Sequence, residues 1–259
     1  SAFVLKTGER TETSNCPLEN VLVAEKNTVA ESVEDGLLDD IFLKSYLMGE
    51  ESVNYVKLSD YMVSEPKIGI RRNNITHSIK AGMLYRIEMK RLESAKKPGK
   101  KTQSISLFAE FEGLTLPEKG FLKLGGEGKS AYYSPSAAGL IDKLELGGNR
   151  FKLYLAAPAV FEKGWLPRMI DENTFTGKFN DLEFQLETAV IGKPLHIGGF
   201  DMKKKKPKPM RKAVPAGSIY FFTMIKGNIQ AAVDAFHGRN ISDYEPHQGF
   251  GLSFVGGWK

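Results

Sequence analysis

Apolar and polar residues alternate in two stretches of the first half of the chain, residues 82–92 (GMLYRIEMKRL) and 104–112 (SISLFAEFE). In the first stretch, apolar residues occupy every second position from Met83 to Met89, and charged residues alternate with them. An alternation with a period of two predicts half-buried β-strands. The residues between the stretches include a turn-forming, basic run, KKPGKK, at positions 96–101. The pattern therefore predicts an antiparallel hairpin of the two stretches with a cationic tip.

Shorter apolar runs predict six further strands, at residues 21–24, 121–124, 151–156, 183–191, 218–225 and 251–255. Two segments have helical spacing instead: one follows Asp39-Asp40 and ends at Gly49, and the other follows Asn228 and ends at Gly238. Because strands outnumber helices, we expect an α+β protein with helices on one face of an antiparallel sheet. The SPSAAG segment at residues 134–139 interrupts the strand pattern and predicts a boundary between domains 1–135 and 136–259.

The composition of the chain limits the classes of protein to which it can belong. With 259 residues and 41% hydrophobic content, the chain can build one large domain or two of ordinary size. No apolar run approaches the roughly 20 residues of a membrane span, and no secretory signal is visible, so we expect no membrane partner. The single Cys16 excludes an internal disulfide and a cysteine-based zinc site, and it favours a reducing, cytoplasmic setting. The chain begins at Ser1 without a methionine, which suggests a processed form or a fragment.

Positive charge is concentrated in one segment, although the net charge of the chain is only +5. Residues 203–212 read KKKKPKPMRK. The cations of this basic segment are Lys203, Lys204, Lys205, Lys206, Lys208, Arg211 and Lys212. Its two prolines oppose a helix and a central strand, so the segment is predicted to be extended or looped. Such a cationic loop on a β-framework suits a phosphate backbone, and a solvated charge run without a partner is the alternative.

A glycine-rich segment, LGGEGKSAYY at residues 124–133, is the second candidate site. Its glycines allow positive φ, and the exposed N–H groups of such a loop can bind an anion while a tyrosine stacks on a base. The candidate RNA-contacting residues here are Gly125, Gly126, Gly128, Lys129, Tyr132 and Tyr133. The spacing of a P-loop is absent. A tight turn with both tyrosines in the core is an equally good interpretation.

Two further segments carry weaker signals. Arg71 and Arg72 follow an apolar pair, and adjacent arginines can hold phosphates, stack on bases or pair with carboxylates of a partner subunit. The segment HQGFGLSFVGGW at residues 247–258 predicts a glycine loop that leads into a closing strand. It is too short for a dinucleotide-binding fingerprint, because no helix follows it.

The sequence offers little for catalysis. The histidines His77, His196, His237 and His247 are scattered and lack metal-ligand spacing, so we interpret them as structural. No serine nucleophile motif is present, and Cys16 has no recognisable partner. We therefore expect no catalytic residue, no metal site and no cofactor. A metal-independent ribonuclease needs only a general base and cations, so this activity stays open as an alternative.

Several of these segments together resemble a known family. They are SEPKIGI (64–70), GMLYRIEM (82–89), LGGEGKSAYY, IGGFDMKKKKPKPMRKAVPAGSIYFF (197–222) and HQGFGLSFVGG (247–257). They are similar to the third subunits of the type III-B CRISPR Cmr effector complex, which belong to the RAMP superfamily. The resemblance extends from about residue 37 to residue 258. The segment at 197–222 is its most distinctive part.

The resemblance implies tandem ferredoxin-like, RRM-like folds with antiparallel sheets, glycine-rich loops and a β-hairpin. It also implies a non-catalytic subunit that holds the 5′ tag of the guide RNA (crRNA). Such a subunit docks onto the large polymerase-like subunit and the adjacent RAMP backbone subunit, and it meets target RNA only indirectly. We rank the basic segment first for RNA contact, the glycine segment second and Arg71-Arg72 third.

Two alternatives to this function stay open. One is a RAMP endoribonuclease that processes precursor crRNA, and the other is a scaffold whose basic segment binds an acidic protein. The chain also departs from the family pattern in one respect, because it lacks the usual opening strand and following helix. We therefore expect a truncated form or a missing N-terminal segment.

Overall fold

The computed structural model describes residues 3–7, 18, 20–24, 33, 35–50, 54–93, 105–125 and 128–258. In chain order the strands are β1 (Phe3–Thr7), β2 (Asn20–Ala24), β3 (Gly36–Leu37), β4 (Val56–Lys57), β5 (Met62–Arg72), β6 (Ile79–Leu92), β7 (Gly120–Lys123), β8 (Ser130–Tyr133), β9 (Arg150–Leu155), β10 (Thr176–Phe179), β11 (Leu182–Val190), β12 (Leu195–Ile197), β13 (Phe200–Asp201), β14 (Lys206–Pro207), β15 (Arg211–Ala213), β16 (Ile219–Lys226), β17 (Arg239–Asn240) and β18 (Leu252–Gly257). The α-helices are α1 (Asp40–Leu47) and α2 (Ile229–Phe236), and two 3-10 turns lie at Leu58–Asp60 and Pro246–Gln248. The predicted α+β class with antiparallel sheets is confirmed.

The chain divides into two compact units that are not consecutive halves. Unit 1 comprises Ser1–Ser32, Asp40–Asn54 and Ile141–Lys259, and unit 2 comprises Val33–Asp39 and Tyr55–Leu140. Two segments of the first 60 residues therefore belong to the same unit as the C-terminal part of the chain. The assignment of residues 1–135 and 136–259 as two ferredoxin-like domains stays a prediction.

Unit 1 is built on a six-stranded antiparallel sheet with the strand order β10-β11-β16-β9-β18-β17. The four strands β11-β16-β9-β18 have the order and directions of a ferredoxin-like sheet. Helix α2 connects β16 to β18, as the second helix does in that fold. Between β9 and β10, where the first helix would lie, residues 156–175 form turns and isolated bridges instead.

Phenylalanine rings fill the core on one face of this sheet. Phe151 of β9 stacks on Phe222 of β16 with their centroids 4.9 Å apart. Phe184 of β11 meets Phe222 edge-on at 5.1 Å, and it meets Phe236 of α2 at 6.0 Å. All four rings are fully buried. Burial of this much aromatic surface stabilises the contact between α2 and the three central strands.

Helix α1 packs against β18. At Gly256 of β18 the lack of a side chain lets the two backbones approach closely. A Cβ atom at Gly256 would lie 2.4 Å from the carbonyl oxygen of Leu47. Beside this contact the buried Lys152 of β9 donates a hydrogen bond from Nζ to the Tyr46 carbonyl oxygen at 2.5 Å. Its ammonium also lies 3.7 Å from the centroid of the Tyr46 ring. The C-terminal end of a helix favours a cation, but burial lowers the pKa of Lys152 to about 8.

The two predicted helices are confirmed, and their predicted caps explain where they begin and end. Asn228 precedes α2 and accepts a hydrogen bond from the Ala231 N–H at 2.8 Å. Gly49 and Gly238 follow the two helices in the left-handed region, with φ of 91° and 69°. The six shorter strands are also confirmed, with ends shifted by one or two residues.

Unit 2 contains three two-stranded ladders among its described residues, β3-β4, β5-β6 and β7-β8. The predicted partner of the strand at 82–92 is wrong. β6 pairs with β5, from Met62 opposite Leu92 to Arg72 opposite Ile79, and residues 105–112 form no strand. Six residues separate β5 from β6, and the Asn73 side chain fixes their turn by accepting the Ile75 N–H at 2.9 Å. The loop between β5 and β6 is shorter than the loop predicted between the stretches 82–92 and 104–112, so closing it costs less entropy. The basic run at 96–101 lies outside the described residues.

The buried Lys152 predicts an unusual dependence of stability on pH. Above pH 8 the folded protein has lost the Lys152 proton, whereas the unfolded chain keeps it up to the ordinary value of 10.5. The unfolded state then binds more protons, so this residue makes the free energy of unfolding rise between pH 8 and 10.5, by on the order of 3 kcal/mol. Urea unfolding of the full chain across this range should show that rise in wild type relative to Lys152→Met.

The exposed Lys193 provides the matched control, since Lys193→Met makes the same substitution at a position on the surface. Its stability profile should run parallel to that of wild type. Parallel profiles for wild type and Lys152→Met would show that Lys152 is not desolvated in the folded state.

Candidate nucleic-acid interface

The basic segment forms part of a β-hairpin inserted between β11 and β16, two strands of the core sheet. We call residues 195–213 the basic arm. Near its base β12 pairs with β15, and farther out β13 pairs with β14, both antiparallel. The four-residue turn at 202–205 closes the hairpin. The prediction of an extended or looped segment is confirmed. Pro207 lies in the two-stranded ladder of β13 and β14, where no third strand requires the N–H that proline lacks.

The turn and the base of the basic arm are held by specific contacts. At the turn, the Asp201 carboxylate accepts a hydrogen bond from the Lys204 N–H at 2.9 Å, and Lys205 takes a positive φ of 51°. At the base, Val214 and Ala159 exchange backbone hydrogen bonds of 2.8 and 2.9 Å. The arm is therefore tied to the loop that follows β9.

All seven cations of the basic arm are exposed. Asp201 is the one acidic residue within residues 195–213, and its carboxylate lies 3.9 Å from the Lys204 ammonium. An ion pair this long and this exposed neutralises little of the charge. The arm therefore presents a strongly positive electrostatic potential to solvent.

The register of the arm separates its two last cations. Arg211 pairs with Ile197, whereas Lys212 pairs with His196, so Arg211 and Lys212 lie on opposite faces of the ribbon. The Arg211 guanidinium lies 3.8 Å from the centroid of the Tyr244 ring, which belongs to the loop before β18. A cation stacked on a ring keeps its N–H edges available for phosphate oxygens. Arg211 is thus preorganised by its contact with the Tyr244 ring.

The glycine segment is also the tip of a hairpin, formed by β7 and β8 in unit 2. Gly125 and Gly128 have φ of 77° and 68°, values that favour glycine, while Gly126 lies outside the described residues. The Leu124 N–H donates to the Lys129 carbonyl oxygen at 3.1 Å across the turn. The predicted tight turn is present, and Lys129 is exposed beside it.

Neither Tyr132 nor Tyr133 is buried in a core, so the interpretation that placed both tyrosines in the core is wrong. Tyr132 is 58% exposed and meets the exposed Phe121 ring edge-on, with centroids 5.4 Å apart. Tyr133 is half-buried on the other face, where a Cβ atom at Gly120 would lie 2.8 Å from its hydroxyl. Tyr132 therefore offers a free ring face, and Tyr133 stabilises the hairpin.

Arg71 and Arg72 lie at the end of β5, at the tip of the β5-β6 hairpin, and both are exposed. The Arg72 guanidinium lies 3.3 Å from Nδ1 of His77 across the turn. The basic arm belongs to unit 1, whereas the glycine segment and this arginine pair belong to unit 2.

The buried His237 has a structural role. Its Nε2 lies 3.0 Å from the Ile141 carbonyl oxygen, and its Nδ1 lies 3.3 Å from the Val255 nitrogen. With the proton on Nε2 the ring donates to Ile141 and accepts from Val255, so both nitrogens are used. The other three histidines are exposed, and the described residues contain no group of three or more potential metal ligands.

Sequence reasoning missed Tyr244, which holds Arg211. The two residues lie 33 positions apart, and no motif connects them. The closing-strand prediction was correct: Gly249 and Gly251, with φ of 88° and 80°, lead into β18. A Cβ atom at Gly251 would lie 2.4 Å from the Ser242 nitrogen, so only glycine fits there.

The fold and the basic arm define the chain as an α+β protein whose ferredoxin-like sheet displays a cationic hairpin. A sequence profile of the family described as CRISPR-associated protein (Cas_Cmr3) matches residues 25–258. The chain belongs to this family, which confirms the resemblance found in the sequence. A search of curated proteins found no match to the chain.

Two solved structures are similar in part. One is a chain of the cryo-EM structure of the Type III-B Cmr-beta bound to cognate target RNA, with 20% identity and a TM-score of 0.43. It aligns over 72% of this chain and 57% of the solved chain. The other is from Cmr-beta bound to cognate target RNA and AMPPnP, with 19% identity, a TM-score of 0.36 and coverage of 68% and 48%. The chain thus spans about half the length of these relatives. Neither described helix is long and apolar enough to cross a membrane.

The contact of Arg211 with Tyr244 should slow proteolysis of the basic arm by restraining it. Replacing Tyr244 with leucine removes the cation–π contact, worth ~1 kcal/mol, and should raise the rate of tryptic cleavage in the arm about fivefold. Tyr244→Phe keeps the ring and should leave the rate unchanged. Mass spectrometry can follow cleavage after Lys203, Lys204 and Lys205, since the prolines protect Lys206 and Lys208. Equal rates for Tyr244→Leu and wild type would show that the contact does not restrain the arm.

Proposed function

We propose that this chain is a non-catalytic subunit of a type III-B CRISPR effector complex and that it binds guide RNA through the basic arm. In this function it caps the 5′-tag end of the crRNA. It contacts the large polymerase-like subunit and the adjacent RAMP backbone subunit, and target RNA reaches it only through the assembly. Membership of the Cas_Cmr3 family supports this proposal.

The single observation that carries the proposal is the composition and mounting of the basic arm. Seven exposed cations lie on one short hairpin, and both of its ends enter the core sheet. Lysine and arginine side chains on phosphates supply affinity without sequence readout, and that affinity falls as salt rises. A rigid base keeps the entropic cost of ordering the arm on RNA low.

Recognition of an RNA end needs contacts to bases as well as to phosphates. Single-stranded bases are held by stacking on aromatic rings and by hydrogen bonds to their edges. Tyr132, exposed at the glycine turn, supplies a ring for this purpose, and the backbone N–H groups near Gly125 and Gly128 suit an anion. The glycine segment is therefore the second RNA contact, and Arg71-Arg72 is the third.

Charge reversal in the arm tests the proposal. The triple variant Lys204→Glu, Lys206→Glu and Arg211→Glu should weaken binding of a crRNA by at least about tenfold near 0.1 M salt. The dependence of log affinity on log salt should flatten by roughly 2, since each phosphate contact on a single strand contributes about 0.7. Fluorescence anisotropy over a salt series measures both quantities on the full chain.

The matched control reverses three exposed lysines of unit 1 outside the arm, Lys143, Lys178 and Lys226. This variant has the same net charge as the arm variant. A loss of affinity restricted to the arm variant supports a local contact, and equal losses in both variants would reduce the effect to net charge. Unchanged affinity and slope in the arm variant would remove the arm from the RNA interface.

The enzyme alternative makes a different prediction. We expect no specific cleavage when the protein is incubated with repeat RNA in EDTA, because no catalytic motif surrounds any of the four histidines and His237 is engaged within the fold. Sequencing gels measure the outcome, with the exposed His77, His196 and His247 replaced by alanine one at a time. Cleavage at one site that disappears in any one of these variants would establish a RAMP endoribonuclease.

A further inference from the structure

One aromatic side chain, Phe200, lies among the cations of the basic arm. It is the only Phe, Tyr or Trp between residues 195 and 213, and it is 53% exposed. In the described part of the chain no other aromatic ring packs against it. Single exposed apolar residues are common on protein surfaces, so the surroundings of this ring decide its role.

The register of the outer ladder of the arm puts lysines close to the ring. Phe200 of β13 pairs with Pro207 of β14, and the residues on either side of Pro207 are Lys206 and Lys208. In an antiparallel ladder, residues one position away from a pair have Cα atoms roughly 6 Å from the opposite partner. The Lys208 N–H also donates to the Gly199 carbonyl oxygen at 2.8 Å, which fixes Lys208 next to the strand that carries the ring.

The two faces of this ladder carry different chemistry. Phe200 and Pro207 share one face, and Asp201 and Lys206 share the other, because neighbouring residues of a strand point to opposite faces. Asp201 is the only acid of the arm, and on its own face it accepts the Lys204 N–H. The face of the ring is therefore apolar and free of acid, and the long stems of the lysines can reach past its edges.

Single-stranded RNA satisfies both the ring and the charge around it. Residues 195–213 contain seven cations and one acid, so their net charge is +6. Each nucleotide joins a flat base to a phosphate through one sugar, so a base on the ring brings its phosphate within reach of the neighbouring lysines. Proteins that hold single strands combine aromatic rings with cations in this way. An apolar protein surface would cover the ring and leave the cations without anions.

We infer that Phe200 stacks on an unpaired nucleobase and that the basic arm thereby favours single-stranded RNA over duplex RNA. The inference rests on the proposed function, because that function brings RNA to the arm. Lysines hold phosphates in either form of RNA, so they do not distinguish the two by chemistry. The ring does, because the bases of a duplex are paired and stacked on one another, whereas those of a single strand can be splayed onto an aromatic side chain.

The affinities of the full chain for two forms of one RNA test the inference. Phe200→Leu keeps an apolar side chain without the ring, and it should weaken binding of a single-stranded crRNA about tenfold. The slope of log affinity against log salt should stay unchanged, because no phosphate contact is lost. When the crRNA is annealed to its complement, wild type and Phe200→Leu should bind it equally. Fluorescence anisotropy over a salt series measures all of these quantities.

Two protein controls and one RNA control separate stacking from other effects of the substitution. Phe200→Trp keeps an aromatic ring, and Met202→Ala removes another exposed apolar side chain of the arm, so both should bind single-stranded crRNA within about twofold of wild type. An abasic ribose-phosphate chain of the same length offers phosphates without bases, and wild type and Phe200→Leu should bind it equally. An equal loss for the abasic chain and for crRNA would overturn the inference, because the substitution would then act without a base.

The salt series also separates this inference from the proposed function. Suppose that the charge-reversed arm variant flattens the salt slope while Phe200→Leu binds single-stranded crRNA as tightly as wild type. The arm then holds RNA by its cations, the ring belongs to a protein partner or to solvent, and the stacking inference alone fails. If the charge-reversed variant binds crRNA like wild type, the proposed role of the arm fails, and the inference that rests on it fails as well.

Discussion

The packing of phenylalanine rings between the central strands and α2 is the interaction on which the rest of the protein depends. Phe151, Phe184 and Phe222 come from three neighbouring strands, and Phe236 locks the helix onto them. Because β11 and β16 both belong to this core, the two ends of the basic arm are held at fixed positions in the sheet. The arm therefore keeps its cations exposed on a rigid base, where a free lysine-rich loop would have to be ordered on binding.

The two units meet the cost of folding differently. Unit 1 buries side chains on both faces of β9, including Lys152 under the end of α1. Unit 2 consists of separate ladders without a buried residue among those described, so its apolar side chains have no cover within the unit.

Local signals were sufficient for most of the secondary structure. Asn228 before α2 and the glycines after both helices act within one turn of the chain. They therefore set where a helix begins or ends without help from the rest of the fold. Strand pairing is different, because the stretch at 104–112 alternates as well as β5 does, yet β6 pairs with β5. Alternation states which residues share a face, and only competition between closures decides which strands meet.

The sequence by itself determined the family, both helices and seven of the strands, β2, β6, β7, β9, β11, β16 and β18. It also determined the extended form of the basic segment, since Pro207 and Pro209 restrict their own backbone. It could not separate the cations within that segment. Only the tertiary structure decided that Arg211 stacks on Tyr244, that Lys212 lies on the other face, and that no tyrosine of the glycine segment enters a core. The physical reason is that these outcomes depend on contacts between residues far apart in the chain, or on strand register. Composition and spacing carry no information on either.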